Sequence, residues 1–394
     1  MTQDFDGYTS RAGGVRWLKT ALTPACYEGT GLRGFSGAEF EFRTCPAFSR
    51  GVAEAAMNGL FGFTLPGEQY RSAIVWWMEH VRGFAIHPEW IVPTQGTIFS
   101  VATTLRLVTA PGDGMIVLTP GYSRYEQAAV RLGRHAVQVP LAEKAGSYSI
   151  DFAALEAAMA APENKLLVLC NPNNPTGNLW KMDDLRRIAA LSEQYGVTVF
   201  SDEIFAEVTF EGRRVPAYLE AAGDSPLAIT CTGMGKLFSL TGVNHANLLI
   251  PNDELREKYI AQRNADHYGS LDPMVHAGLI AAFNEEGQAW LKEMRAYVWE
   301  NYLLIERFMR EYLPGATVTR PEGTYVVWID YTGMQLSQEA LERLLADGLF
   351  LGDWGEEYYG REQCMRYSIA CPRREIEAAL TALKACIDKE GLRR

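Results

Sequence analysis

Short apolar runs closed by small or polar residues recur through the middle of the chain: Met115–Leu118, Ala136–Pro140, Leu166–Cys170, Val197–Ser201, Ala228–Cys231 and Asn247–Ile250. Unbroken apolar stretches of this length are the mark of strands covered on both faces. Between many of them the apolar positions recur at helical spacing, as in Phe152–Ala160 and Asp183–Tyr195. Strand and helix in alternation predict an α/β fold with a mostly parallel sheet and helices on its faces. Val52–Asn58 reads as a short helix. Glu68–Val81 reads as a longer one, with Tyr70, Ile74 and Trp77 on one side, and Ile98–Val108 as a helix that opens right after Gly96. A long helix from about Gly287 to Tyr312 is expected to lead into a second unit. The expected division is a large domain over 51–286 and a smaller α+β domain over 287–394, which residues 1–50 join.

Three of the strands end on residues that carry chemistry. Asn171-Pro172-Asn173-Asn174-Pro175-Thr176-Gly177 follows Leu166–Cys170, and Asp202-Glu203 follows Val197–Ser201. Thr232-Gly-Met-Gly-Lys236 follows Ala228–Cys231. Taken singly, each has a plain reading: a turn, a helix cap, a solvated lysine. Together they fall where open α/β sheets bind ligands, outside the carboxyl ends of strands. An amine, a carboxylate and an amide in that setting suit pyridoxal 5′-phosphate. Lysine condenses with the aldehyde, and an aspartate facing the pyridine nitrogen keeps it protonated so that the ring draws electrons from a substrate Cα. An amide donates to the phenolate oxygen. Lys236, Asp202 and Asn174 are assigned these parts. Gly96-Thr97-Ile98, at the start of a helix, offers backbone N–H groups to the phosphate.

These motifs resemble the fold-type-I pyridoxal-phosphate enzymes, the class I/II aminotransferase-like group with the aspartate aminotransferase fold. Within that group the chain resembles the cystathionine β-lyase-like C–S lyases of the MalY/PatB type. The likeness runs through Asp4-Phe5-Asp6, Arg11-Ala12-Gly13, Leu60–Thr64, Thr94–Ile98, Thr119–Tyr122, Gly323–Tyr325 and Arg366–Pro372. It implies that Tyr122 stacks on the cofactor ring and assists catalysis, and that Arg366 anchors the substrate α-carboxylate. A guanidinium fork matches a carboxylate with two parallel hydrogen bonds. The likeness also implies a homodimer with a shared site.

The phosphate end departs from the pattern. Relatives carry serine where this chain has Gly233 and a partner-subunit tyrosine where it has Phe63. Aminotransferases carry arginine where it has Asn244, a position at which the lyase branch tends to asparagine. Thr232 is expected to compensate in part. Phe205 stands where relatives place a hydroxyl or imidazole donor to the phenolate oxygen.

The function implied is α,β-elimination from cystathionine, cysteine or a cysteine S-conjugate, giving thiol, pyruvate and ammonia. An aminotransferase shares every residue named and stays open as the alternative, with a regulatory protein on the same fold behind it. Composition narrows the partners. A net charge of −11 argues against nucleic acid. No apolar run is long enough for a bilayer, and no signal peptide or lipidation motif is read. Seven scattered cysteines give neither a disulfide framework nor metal-ligand spacing. A cytoplasmic enzyme acting on a small amino acid, without a metal, is expected.

Overall fold

The computed structural model describes residues 3–7, 24–30, 32 and 34–392. Arg11-Ala12-Gly13 lies outside the described residues. Seven strands build the main sheet: β1 (Ile91–Thr94), β2 (Gly114–Thr119), β3 (His135–Pro140), β4 (Asn164–Cys170), β5 (Thr198–Asp202), β6 (Ala228–Thr232) and β7 (Ala246–Leu249). Their spatial order is β1-β7-β6-β5-β4-β2-β3. The pairs from β6 to β3 are parallel, and β7 lies antiparallel to both β6 and β1. Side chains alternate across the sheet. Leu167, Leu169 and Val199 join the core cluster on one face, and Leu166, Val168 and Phe200 join the cluster on the other. Both faces are dry, which is why these strands read as continuous apolar runs.

Helices follow the expected periods with small shifts at their ends: α1 (Pro46–Asn58), α2 (Glu68–Trp77), α3 (Thr97–Val108), α4 (Arg124–Arg131), α5 (Phe152–Ala160) and α6 (Met182–Tyr195). Helix α1 starts earlier than its apolar pattern because Pro46 occupies the first turn, where a missing N–H is harmless. Helix α2 passes into a π-turn over Met78–Arg82 that closes on Gly83 in the left-handed region. Tyr70, Ile74 and Trp77 are all buried.

The long helix α7 (Glu285–Tyr312) is capped by the Asn284 side chain, which accepts from the backbone of Glu286 and Gly287. Beyond it lies an antiparallel sheet of β8 (Thr317–Val318), β9 (Val326–Asp330), β10 (Asp353–Trp354) and β11 (Cys364–Ser368), in the order β8-β9-β11-β10. Residues 35–41 run along this sheet: Phe35 N donates to Leu351 O, Ser368 N to Phe35 O and Glu41 N to Ala370 O, each at 2.8 Å. Phe5 packs edge-on against Phe42 and Trp290.

A buried ion cluster steadies the loop after β5. The Arg82 guanidinium meets the Glu203 carboxylate at 2.5 Å, with Glu207 at 3.9 Å, and all three side chains are shut off from solvent. Glu203 also accepts from Tyr218 N and Ser201 Oγ. Removing one partner from such a cluster leaves a buried charge uncompensated. Glu203 therefore pins the backbone next to Asp202 and fixes the direction in which that carboxylate points.

Candidate active site

One cavity of about 1000 Å³ opens at the carboxyl ends of β4, β5 and β6 and reaches across to the second sheet. Gly96, Thr97 and Ile98 line one end, and Tyr122, Asn174, Asp202, Lys236 and Arg366 line the middle. Residues more than 250 positions apart are thus gathered on one surface by strand ends and one strand of the small sheet.

At the narrow end, helix α3 begins on Gly96, whose φ of +102° is open to glycine and strained for other residues. No side chain caps the helix. Its first N–H groups and the positive end of its dipole therefore face the cavity, an arrangement that suits a phosphate. The Thr97 hydroxyl lies 3.7 Å from Cys231 Sγ.

Thr232 is corrected by this geometry. It is buried at the end of β6, opposite Asn247, and does not line the cavity. Strand alternation turns Cys231 toward Thr97 and so turns Thr232 to the other face. Gly233 and Asn244 do line this end. So does His245, but its Nε2 lies 2.7 Å from the Tyr70 hydroxyl, and burial lowers its pKa to about 4. It supplies no positive charge at neutral pH, so the cup rests on backbone N–H groups and hydroxyls.

Asp202 is 3% exposed. One carboxylate oxygen accepts from the Tyr125 hydroxyl and the other from Ile204 N at 3.2 Å. Burial raises its pKa to about 6, against the pull of the Tyr125 and Ile204 hydrogen bonds and of Lys236. A carboxylate this short of solvent favours a cationic partner, which a protonated ring nitrogen is. Tyr125 was not singled out from sequence, although it stands one helical turn after Tyr122. The two rings meet edge to face at 5.4 Å.

Lys236 sits at the floor, with Nζ donating to Ala38 O at 2.7 Å. The Tyr325 hydroxyl donates to the same carbonyl at 2.9 Å. Burial and the positive charge of Arg366 lower the Lys236 pKa to about 8, opposed by Glu39 and Asp202. A free amine is therefore populated near neutral pH, as both imine formation and proton abstraction demand. In the cofactor-free protein, acylation of Lys236 by an amine-selective reagent is expected to rise to half its maximum near pH 8. Exposed lysines follow at higher pH, and peptide mass mapping separates them. A Lys236 profile that tracks the exposed lysines would overturn this assignment.

Phe205 is as apolar as its sequence suggests: its ring packs edge-on against Tyr325, and Lys236 Nζ lies 5.7 Å from its centroid. It supplies no hydrogen bond to the cavity.

Arg366, on the middle strand β11, is 2% exposed. Its Nη1 donates to Asn174 Oδ1 at 3.0 Å and its Nη2 to Asp353 Oδ2 at 2.5 Å, while the Tyr358 ring lies 4.4 Å beneath the guanidinium carbon. Nε has no partner among the described residues. Asp353 also accepts from Gly37 N and from the Tyr358 hydroxyl. The fork is held in one plane by groups from three parts of the chain. Asn174 thus touches the arginine as well as the cavity.

The residues fit pyridoxal phosphate at four points: a helix start for the phosphate, a carboxylate for the ring nitrogen, a depressed amine for the aldehyde, and an aromatic face in Tyr122. Comparison with known proteins agrees with that fit. Residues 35–383 match the family described as aminotransferase class I and II. The cystathionine β-lyase PatB of Bacillus subtilis is 30% identical over 389 residues, covering 98% of this chain and 100% of its own. Protein MalY of Escherichia coli is 28% identical, covering 89% of this chain and 90% of its own. Among solved structures, cystalysin from Treponema denticola, which contains pyridoxal 5′-phosphate, superposes with a TM-score of 0.91. It is 27% identical, and the match covers 99% of this chain and 100% of the other.

Proposed function

The chain belongs to the aminotransferase class I and II family, and from that premise we propose that it is a pyridoxal 5′-phosphate-dependent carbon–sulfur β-lyase. Its substrates are cystathionine, cysteine or a cysteine S-conjugate, which it splits to a thiol, pyruvate and ammonia. The observation that carries this reading is the end-to-end likeness to a cystathionine β-lyase, with no large part of either chain left over.

The chain's own residues divide the work. Arg366 receives the α-carboxylate on its fork, already oriented by Asn174 and Asp353. Bound pyridoxal phosphate supplies the electron sink that takes up the Cα electron pair. The buried Asp202 carboxylate would keep the ring nitrogen protonated. Tyr122, which lines the cavity, would stack on the cofactor ring. The Lys236 amine, its pKa lowered by burial, would be the base that removes the Cα proton. It holds that proton within reach of the departing sulfur. Departure of the thiol from Cβ and addition of water to the remaining three-carbon fragment give pyruvate and ammonia.

The enzyme works as a homodimer in the cytoplasm. Phe61, Phe63 and Leu65 stand exposed in one segment, a surface suited to a second copy. No helix among the described residues is long and apolar enough to cross a membrane.

The test is purified enzyme with added cofactor and L-cystathionine. Thiol and pyruvate in equal amounts are expected. Keto acid formed at the expense of an amino donor, with no thiol, would make the protein an aminotransferase.

A further inference from the structure

The mouth of the cavity carries two charges that the reaction at Cα does not use. Arg124 opens helix α4, two residues after Tyr122, and Glu357 lies in the short 3-10 turn Gly355–Tyr358. The two loops are tied together: Gly121 N donates to Tyr358 O at 2.9 Å. That bond brings Arg124 and Glu357 to the same rim, beyond Tyr122 on one side and beyond Tyr358 on the other, and both line the cavity. Both are exposed. Arg124 reaches the Gln127 side chain at 3.1 Å, and neither residue closes an ion pair among the described residues. Of the other carboxylates that line the cavity, Glu39 acts on Lys236, and two more are committed. Asp202 is held by Tyr125 and Ile204, and Asp353 by Arg366, Gly37 and Tyr358. Burial and Asp353 push the Glu357 carboxyl up, while the charges of Arg366 and Arg124 pull it back, so the two rim groups lie within each other's field.

Tyr358, whose ring lies 4.4 Å from the Arg366 guanidinium, is the neighbour of Glu357, so the rim adjoins the place of a head group held at Arg366. The cavity that would hold the cofactor extends to this rim, which carries one cation and one anion. We propose that Arg124 and Glu357 form a distal subsite for a substrate whose leaving group itself ends in an amino-acid zwitterion, Arg124 taking the distal carboxylate and Glu357 the distal ammonium. This rests on the lyase reading and deepens it: the preferred substrates are thioethers joining two amino acids, not free cysteine or S-alkyl conjugates. Loss of a hydrogen bond to a charged group weakens binding by about 1.5–3 kcal/mol, roughly a 10- to 100-fold effect. A rim open to solvent belongs at the lower end of that range.

Four thioethers separate the two parts: L-cystathionine, S-(2-carboxyethyl)-L-cysteine, S-(2-aminoethyl)-L-cysteine and S-ethyl-L-cysteine. The readout is kcat/KM for each charged compound divided by that for the uncharged S-ethyl compound. Arg124→Ala is expected to lower this ratio about tenfold for cystathionine and for the carboxyethyl compound, but not for the aminoethyl compound. Glu357→Gln is expected to lower it for cystathionine and the aminoethyl compound, but not for the carboxyethyl one. Ratios that stay put in both variants, or that fall alike whatever the tail charge, would overturn the subsite. If the parent enzyme releases thiol from none of the four, the lyase reading fails on its own. Calorimetric Kd values for the same compounds, in cofactor-loaded Lys236→Ala with and without each rim substitution, then decide the subsite by the same pattern.

Discussion

Lys236→Ala releases thiol from L-cystathionine at least roughly 1000-fold more slowly than the parent, with an unchanged far-ultraviolet spectrum. The size follows from what the amine does. General base catalysis by a positioned side chain contributes about 10²–10⁴-fold, and alanine also removes the covalent attachment to the aldehyde. The fold has no need of the charge. Ala38 O keeps a donor in the Tyr325 hydroxyl when Lys236 Nζ is gone. Burial holds the Lys236 pKa near 8, below its ordinary value of 10.5, so the folded cofactor-free protein disfavours the ammonium. That penalty is complete below pH 8 and fades as pH rises toward 10.5. Cofactor-free Lys236→Ala is therefore expected to be somewhat more resistant to urea than the parent at pH 7, with the advantage gone by about pH 10.5. Thiol release within tenfold of the parent would mean that another group removes the Cα proton. A loss of cooperative unfolding would mean that the lysine is structural.

How far the sequence reveals this site depends on how local its cause is. Asn174, Asp202 and Lys236 were legible because each follows a strand buried on both faces, and such strands announce themselves as apolar runs ending in a polar turn. Helix α3 was legible for the same reason, with Gly96 marking its start. Strand β1 was not: Ile91-Val92-Pro93-Thr94 is four residues long and contains proline, which only an edge strand tolerates. Nor does a strand's own pattern say which way it runs. The antiparallel setting of β7 follows from the loop that carries Lys236, which returns the chain beside β6. Thr232 failed on parity, since one residue along a strand is the whole difference between facing the cavity and facing away. Tyr125 and Asp353 escaped for a third reason. Each acts on a residue far off in sequence: Tyr125 on Asp202, and Asp353, from a strand of two residues, on Arg366. The first contact depends on how helix α4 packs beside the end of β5, and the second on which strand pairs with β11, where Asp353 falls opposite Arg366, and no local pattern records either.

Asp202→Asn tests the other half of the catalytic pair, because it keeps the shape and removes the charge. The carboxylate is buried between Tyr125 and Ile204, with no solvent to replace it as a counter-ion. A protonated ring nitrogen facing an amide instead of a carboxylate loses its partner in a dry site, and breaking one side of a buried pair is worth about 3–5 kcal/mol. Since each 1.36 kcal/mol is tenfold in rate, kcat/KM for L-cystathionine is expected to fall by roughly 10²–10⁴-fold, with cofactor still bound but more weakly. The cofactor-free protein gives a second, independent sign. Burial raises the Asp202 pKa from 3.8 to about 6, so the folded state holds this proton more tightly than the unfolded chain. Stability from this group is present below pH 3.8 and is lost as pH rises through 6. The parent should therefore lose stability relative to Asp202→Asn between pH 4 and pH 6.5 in urea titrations, by an amount on the order of 3 kcal/mol. Equal pH slopes in the two proteins would mean that Asp202 is not desolvated as the geometry requires. An Asn variant that turns over within threefold of the parent would mean that the ring nitrogen does not depend on its charge.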